Sequence, residues 1–181
     1  NEGRAHSTAW SALACDLNND GLPELMAGSY GRAPNHLWRA TPSQDGLDYV
    51  NESVASGYAY DDNQMWSDNQ FAACHCASNP DDDGCESAQS PNINCGQLNW
   101  RHATDREPFR LGGNTGTTVC ADFDNDGWAD LVTTEIKHWW AGEGSDGSEL
   151  LLNTQSPTVS FSRPGNAQTG LTIEHTTRNW D

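Results

Sequence analysis

The stretch "DLNNDGLPEL" at residues 16–25 decides the fold that we expect, because it places acidic and amide side chains at alternate positions around a glycine. Several carboxylates within a few ångströms raise one another's pKa, so a bare loop of this composition is unfavourable. A hard cation such as Ca²⁺ reverses that cost, since it takes about six to eight oxygen ligands from alternate side chains, a carbonyl and a closing acid. Gly21 permits the turn that returns the closing acid to the ion. The alternative is an ordinary turn rich in Asp and Asn.

A second copy of this loop, "DFDNDGWADL" at residues 122–131, favours the metal site over the ordinary turn. Acids, amides and the glycine recur in it at the same spacing. We therefore predict two Ca²⁺ sites, with Leu22 and Trp128 serving through their backbone carbonyls. The predicted ligands are Asp16, Asn18, Asp20, Leu22 and Glu24 in the first loop, and Asp122, Asp124, Asp126, Trp128 and Asp130 in the second.

The repeat extends beyond the loops, which bears on the architecture. "TAWSALACDL" and "TTVCADFD" lead into them, and short runs such as "ELMAGSY", "HLWRAT", "DLVTTEI" and "ELLLNT" follow. These runs carry β-branched or aromatic residues between Gly, Pro, Asn and Asp, as strands do. Aligning Leu37 with Leu151 requires a small insertion around residues 141–148. The chain is predicted to be all-β, each copy being a strand, an acidic hairpin loop and three further strands.

Four-stranded antiparallel units repeated along a chain are typical of β-propeller blades. The segments "ACDLNNDGLPELMAGSY" and "CADFDNDGWADLVTTEI", with the "GY" or "GL" corner that follows each, resemble FG-GAP/VCBS repeats, the blades of integrin-α-like propellers. The resemblance covers about 45 residues in each copy. It implies that the loop joins the first two strands of a blade and holds Ca²⁺. Two departures are that Asn18 replaces an acid, which should weaken the first site, and that neither copy spells out "FG-GAP".

We predict three parts: a first blade at 1–60, a cysteine-rich insertion or degenerate blade at 61–108, and a second blade at 109–181 that includes the start of a next unit. Two or three units do not close a ring of about 4–8 blades. We therefore expect a segment of a longer repeat protein, or a subunit that completes its sheets with copies of itself. "HTTRNWD" at residues 175–181 is expected to lead toward another loop.

Cysteines concentrate in the insertion, where a polar segment needs cross-links to stay ordered. Sequence leaves three pairings open, of which crossed or nested ones are favoured over a bridge between Cys74 and Cys76. The competing interpretation is a zinc site formed by Cys74, His75, Cys76 and Cys85. Cys15 and Cys120 lie one residue out of phase relative to their loops, so they can pair with each other, pair with the insertion or remain buried thiols. The disulfide candidates are Cys15, Cys74, Cys76, Cys85, Cys95 and Cys120.

Charge and motifs narrow the function classes. A net charge of −17 argues against nucleic-acid binding, and no apolar run approaches the roughly 20 residues of a membrane helix. Hydrolase, P-loop and dinucleotide-binding motifs do not occur in the sequence, so we expect no enzymatic activity. The adjacent pair Trp139 and Trp140 is a candidate glycan contact, because exposed indoles stack on sugar rings.

The leading hypothesis is an extracellular, calcium-binding β-propeller-type repeat protein with a structural, adhesive or assembly role. Calcium-rich and oxidising surroundings both point outside the cell. The alternatives are a subunit of a self-assembling extracellular filament and a glycan-binding, lectin-like module. The expected partners are a protein or glycan outside the cell, or further copies of this chain.

Overall fold

The computed structural model describes residues 8–96, 100–144 and 147–171. The fold is mainly β, with two four-stranded antiparallel sheets and little helix. In each sheet the strands lie in chain order, so strands that are hydrogen-bonded neighbours also follow one another in the chain. The first sheet consists of β1 (Thr8–Cys15), β2 (Glu24–Tyr30), β3 (His36–Ser43) and β4 (Gly46–Asn51), and the second of β5 (Thr115–Ala121), β6 (Asp130–Glu135), β7 (Glu149–Asn153) and β8 (Phe161–Ser162).

The predicted succession of strand, acidic loop and three strands is confirmed in both copies. β2 and β6 each begin at the acid that closes the preceding loop. The alignment of Leu37 with Leu151 is wrong by one residue. Met26 pairs with Leu37, whereas its counterpart Val132 pairs with Leu150. The true counterpart of Leu37 is therefore Leu150, because sequence similarity among leucines does not fix strand register.

The two sheets pack through non-equivalent faces. Directly paired residues point to the same side of a sheet, so Met26 and Leu37 share the side of the first sheet that contributes to the core. In the second sheet, the core side carries Leu131 and Leu151. The counterpart of Leu131 is Leu25, which is exposed on the other side of the first sheet. The sheets are thus stacked head to tail, meaning that the face contributed by one sheet is not the equivalent of the face contributed by the other. The fully or almost fully buried core comprises Leu17, Met26, Leu37, Tyr58, Leu131, Leu151 and Val159.

Head-to-tail stacking explains the phase difference between the two loop cysteines. Cys15 lies on the same side of β1 as Leu13, which pairs with Met26, and Cys120 pairs with Leu131. Both sulfurs therefore point into the contact between the sheets, where they form a disulfide. Of the three arrangements that the sequence left open for these cysteines, the structure has the first.

The segment between the sheets contains a helix that the all-β prediction missed, α1 at Gln70–Ser78. Asn69 caps it, its Oδ1 accepting hydrogen bonds from the N–H groups of Phe71 (2.9 Å) and Ala72 (3.3 Å). No clear 3.6-residue apolar stripe marks this helix, since cysteines and alanines supply its buried side. A second, four-residue helix, α2 at Asn166–Thr169, follows β8.

Disulfides fix this helical segment. Cys74 bonds to Cys95 and Cys76 bonds to Cys85, which is the nested arrangement. The cysteines of the alternative zinc site are consumed by these bonds, so no thiolate remains for a metal. Cys85 also lies near His75 and His102, but its sulfur is held by Cys76.

Propeller closure is not seen: the described residues form two stacked sheets and no closed ring or barrel. The approach to a further loop that we predicted at residues 175–181 lies outside the described residues. Over the described ranges, no helix has the length and apolar character needed to cross a membrane.

Candidate metal centre

The second acidic loop gathers three carboxylates at one point. Asp122, Asp124 and Asp130 each offer an oxygen, and these oxygens all lie within 4.8 Å of one another. The backbone folds around them: Asp126 N–H donates to the Oδ1 atoms of Asp122 and Asp124 (both 3.1 Å), and Gly127 N–H donates to Asp122 Oδ2 (3.0 Å). A carboxylate oxygen has two lone pairs, so one such bond leaves the other free for a cation.

The first loop has the same backbone path. Asp20 N–H donates to Asp16 Oδ1 (3.2 Å) and Asn18 Oδ1 (3.1 Å), and Gly21 N–H donates to Asp16 Oδ2 (2.9 Å). Its centre differs by one charge, since Asn18 stands where the second loop has Asp124. The Nδ2 group of Asn18 donates to Asp20 Oδ2 at 2.9 Å, where a fourth acid would repel that carboxylate.

Glycine and asparagine make the tight turn in both loops. Gly21 and Gly127 have φ of 84° and 90°, and Asn19 and Asn125 have φ of 57° and 61°. Asparagine is among the few residues that adopt this left-handed conformation readily. The two asparagines were not predicted as loop determinants, although their recurrence at the same place in both motifs is a signal in the sequence.

The closing acids, Glu24 and Asp130, are fully buried. Each accepts one hydrogen bond from the residue after the first acid of its loop, Glu24 Oε2 from Leu17 N–H (2.8 Å) and Asp130 Oδ2 from Phe123 N–H (2.9 Å). Each also accepts one from the third strand of its sheet, namely from Ala40 N–H (3.4 Å) and Asn153 N–H (2.8 Å). The closing acid therefore ties the loop to the sheet.

Two of the loop acids have raised pKa values. Burial raises the pKa of Glu24, and the charges of Asp20 and Asp16 raise it further, against the lowering effect of the two backbone hydrogen bonds. Loss of hydration likewise raises the pKa of Asp124, with added contributions from Asp126, Asp130 and Asp122. A divalent cation would reverse both effects by favouring the ionised forms.

The remaining predicted ligands lie on either side of the glycine in each loop, and Asp126 is outside the cluster of three carboxylates. Leu22 and Trp128 follow the glycines, and their N–H groups donate to the Oδ1 atoms of Asp20 and Asp126, both at 2.8 Å. Asp126 also accepts a hydrogen bond from Gln155 Nε2 at 2.8 Å, so the segment that follows β7 helps to hold it in place. Ligation by the carbonyls of Leu22 and Trp128 stays a prediction.

The two loops lie side by side. Asn19 Nδ2 donates to the carbonyl of Gly127 at 3.1 Å. The buried side chain of Asn153 bridges both loops, because its Nδ2 donates to the carbonyls of Leu17 (2.7 Å) and Ala129 (2.9 Å). Sequence reasoning missed Asn153, since nothing around it marks a contact with a loop 136 residues away.

Trp139 and Trp140 do not lie in a strand. They begin a 3₁₀ segment at Trp139–Gly144, and their surroundings differ. Trp139 is 45% exposed. Trp140 contacts the rings of Phe71 and His138, with centroid distances of 4.8 Å and 5.1 Å. The glycan contact expected at this pair stays a prediction.

Comparisons with known proteins give no match: no family model, no curated protein and no solved structure matches this chain. The resemblance to FG-GAP/VCBS repeats rests on the two loops and their flanking strands.

Proposed function

We propose that this protein is an extracellular, calcium-held β-repeat scaffold with a structural or adhesive role. The observation that carries the proposal is the duplicated loop, with three carboxylates converging in the second copy and a fully buried closing acid in both. Oxygen-only ligands of this number and charge suit Ca²⁺ better than zinc or copper.

Calcium would act here as part of the fold. Each closing acid bonds to its own loop and to the third strand of its sheet, and Asn153 links the loops. An ion in each loop would neutralise the buried carboxylates. It would also hold the hairpin that contains the loop against the contact between the two sheets. Binding free energy in such a site becomes folding free energy. Three disulfides are compatible with the oxidising, calcium-rich setting outside cells.

Calorimetric titration with Ca²⁺ and thermal melts with and without EGTA test this function. We expect two ions per chain and a lower Tm after chelation. The D122N/D124N variant should lose one ion, whereas D45N/D48N, which removes the same charge from the β3–β4 hairpin, should keep both. An unchanged Tm on chelation, or a full ion count in D122N/D124N, would refute the proposal.

A second candidate role, head-to-tail assembly, is favoured by the outer face of the second sheet. Phe123 is 42% exposed, although its counterpart Leu17 is completely buried beneath that sheet. Val119 is 48% exposed, and its counterpart Leu13 packs against the core. The outer face of a first sheet, which carries Leu25, would cover these side chains if another unit or another copy of this chain supplied it. The second sheet covers Leu17 in the same way within the chain. Heterologous contacts of this kind propagate into rings or filaments.

A further inference from the structure

A cavity of about 290 Å³ opens away from the acidic loops, at the junction of the first sheet with the helical segment. Its walls come from the end of β2, from α1, from the 3₁₀ segment at Trp139–Gly144 and from the chain between residues 100 and 114. This volume is at the lower end for small-molecule sites. The side chains that matter for binding are Tyr30, Arg32, Phe71, Trp100, Asn114 and Trp140.

The aromatic walls of this cavity are held in place by their neighbours. Trp140 contacts the rings of Phe71 and His138. Trp100 stacks with Trp66 at a centroid distance of 6.1 Å, and its indole Nε1–H donates to His102 Nδ1 at 3.2 Å. The rings are therefore positioned before any ligand arrives, which lowers the entropy cost of binding.

Arg32 places a buried guanidinium with unused hydrogen-bond donors at the same cavity. It is only 8% exposed, and its Nε and Nη2 atoms have no hydrogen-bond acceptor. Burial lowers the pKa of the Arg32 guanidinium and the charge of Arg110 lowers it further, while the charges of Asp105 and Asp61 act in the opposite direction. The carboxylate that lines the cavity, Asp105, forms an ion pair with Arg110 at 3.5 Å and accepts a hydrogen bond from Arg101 N–H at 2.8 Å.

Asn114 adds a second buried donor. It is 2% exposed, and its Oδ1 accepts hydrogen bonds from the N–H groups of Gly31 (2.7 Å) and Arg32 (3.2 Å). Those bonds fix the amide orientation, and its Nδ2 group has no acceptor. Buried donors without acceptors cost free energy, and native structures rarely leave them so. Three unused donor atoms on two neighbouring side chains therefore call for an acceptor from outside the chain.

We propose that this cavity binds a sugar acid of about one ring, with its carboxylate on Arg32 and Asn114 and its ring against Trp100 and Trp140. The Nε and Nη2 atoms of an arginine match the two oxygens of a carboxylate. The C–H face of a sugar ring suits the electron-rich face of an indole. The site uses Trp140 of the tryptophan pair, and Trp139 is outside it. It does not depend on calcium in either loop.

NMR of the indole N–H groups tests the proposal on the calcium-saturated protein. D-glucuronate should shift the signals of Trp100 and Trp140, and D-glucuronamide and D-glucose, which lack the charge, should bind at least about tenfold more weakly. Trp128 lies in the second calcium loop. A shift of its signal would indicate that the sugar acid binds to a metal ion in that loop. Shifts at Trp128 alone, or equal binding of glucuronamide, would overturn the proposal. A short oligogalacturonide compared with D-galacturonate distinguishes the end of a polysaccharide chain from a free sugar acid as the ligand.

Variants locate the carboxylate. R32M should weaken glucuronate binding at least about tenfold, and R39M, which removes a charge paired with Glu52 on the first sheet, should leave it unchanged. R32K keeps the charge and loses the two-pronged donor, so it should also bind more weakly. Unchanged binding in R32M would refute the site. If both Arg32 variants fail to fold, the comparison of glucuronate with glucuronamide on the unmodified protein still decides, because only the acid fits the donors.

Discussion

Cys15 and Cys120 are joined by a disulfide although they stand one residue out of phase relative to their acidic loops. This bond follows from the stacking of opposite faces of two equivalent sheets. Side chains alternate between the faces of a strand, so two cysteines in the same phase would have pointed in the same direction and missed each other. The phase difference in the sequence is thus a consequence of head-to-tail packing.

Removing this bridge should cost more stability than removing a short-range one. C15A/C120A opens a link across 105 residues and should lower the free energy of unfolding, by about 2–5 kcal/mol in chain-entropy terms. C76A/C85A opens a link across nine residues and serves as the matched control, with a smaller expected loss. Guanidinium unfolding at fixed Ca²⁺ measures both, and a larger loss in the control would contradict the role of Cys15–Cys120 as the clamp between sheets.

Exchanging the one charge that distinguishes the two loops should exchange their calcium affinities. N18D gives the first loop the acid of the second and should raise its affinity, and D124N should lower that of the second, each by about tenfold. Calorimetry resolves the two sites. N19D adds the same charge one residue away, where the side chain bonds to Gly127 instead of facing the site. An N19D effect as large as that of N18D would show that overall charge, and not ligation, sets affinity.

Glu135 should make stability depend on pH. Burial raises its pKa to about 8, and the negative charge of Glu149 raises it as well. Arg163 and the hydrogen bond that Thr115 Oγ1 donates to Glu135 at 2.7 Å lower it, but they do not cancel the effect of burial. The folded state then holds a proton that the unfolded chain releases above its ordinary pKa of 4.5. Stability should therefore fall as pH rises from about 5 to about 8.

The E135Q variant should abolish most of that slope, because the amide resembles the protonated acid. Tm measured at several pH values in saturating Ca²⁺ checks this. E52Q, which alters an acid paired with Arg39, is the control and should retain the slope. Parallel pH profiles for E135Q and the unmodified protein would assign the dependence to other groups.

Head-to-tail assembly predicts complementary variants. F123D charges the outer face of the second sheet, and L25D charges the outer face of the first, where Leu25 is exposed. Each variant alone should stay monomeric at concentrations where the unmodified protein assembles. An equal mixture should form dimers, because each variant keeps one intact face. Sedimentation velocity distinguishes these outcomes, and a mixture that stays monomeric would exclude this contact.

The sequence by itself determined the local features. The acid–amide–glycine loops, the strand that precedes each and the strands that follow were predictable because turn chemistry and ligand spacing act over a few residues. The helix at Gln70–Ser78 was not, since its buried side is made of cysteines and alanines whose role depends on disulfides. The register of β7 was also missed, because three consecutive leucines leave several pairings open until the sheet selects one.

Only the tertiary structure decided which faces meet, which cysteines pair and where the second candidate site lies. Arg32 and Asn114 are 82 residues apart, and no spacing in the sequence links a buried guanidinium to an amide and two indoles. Asn153 bridges the loops for the same kind of reason. Contacts between distant segments are chosen by burial and packing of the whole chain, whereas a loop that binds an ion carries nearly all of its ligands in ten consecutive residues.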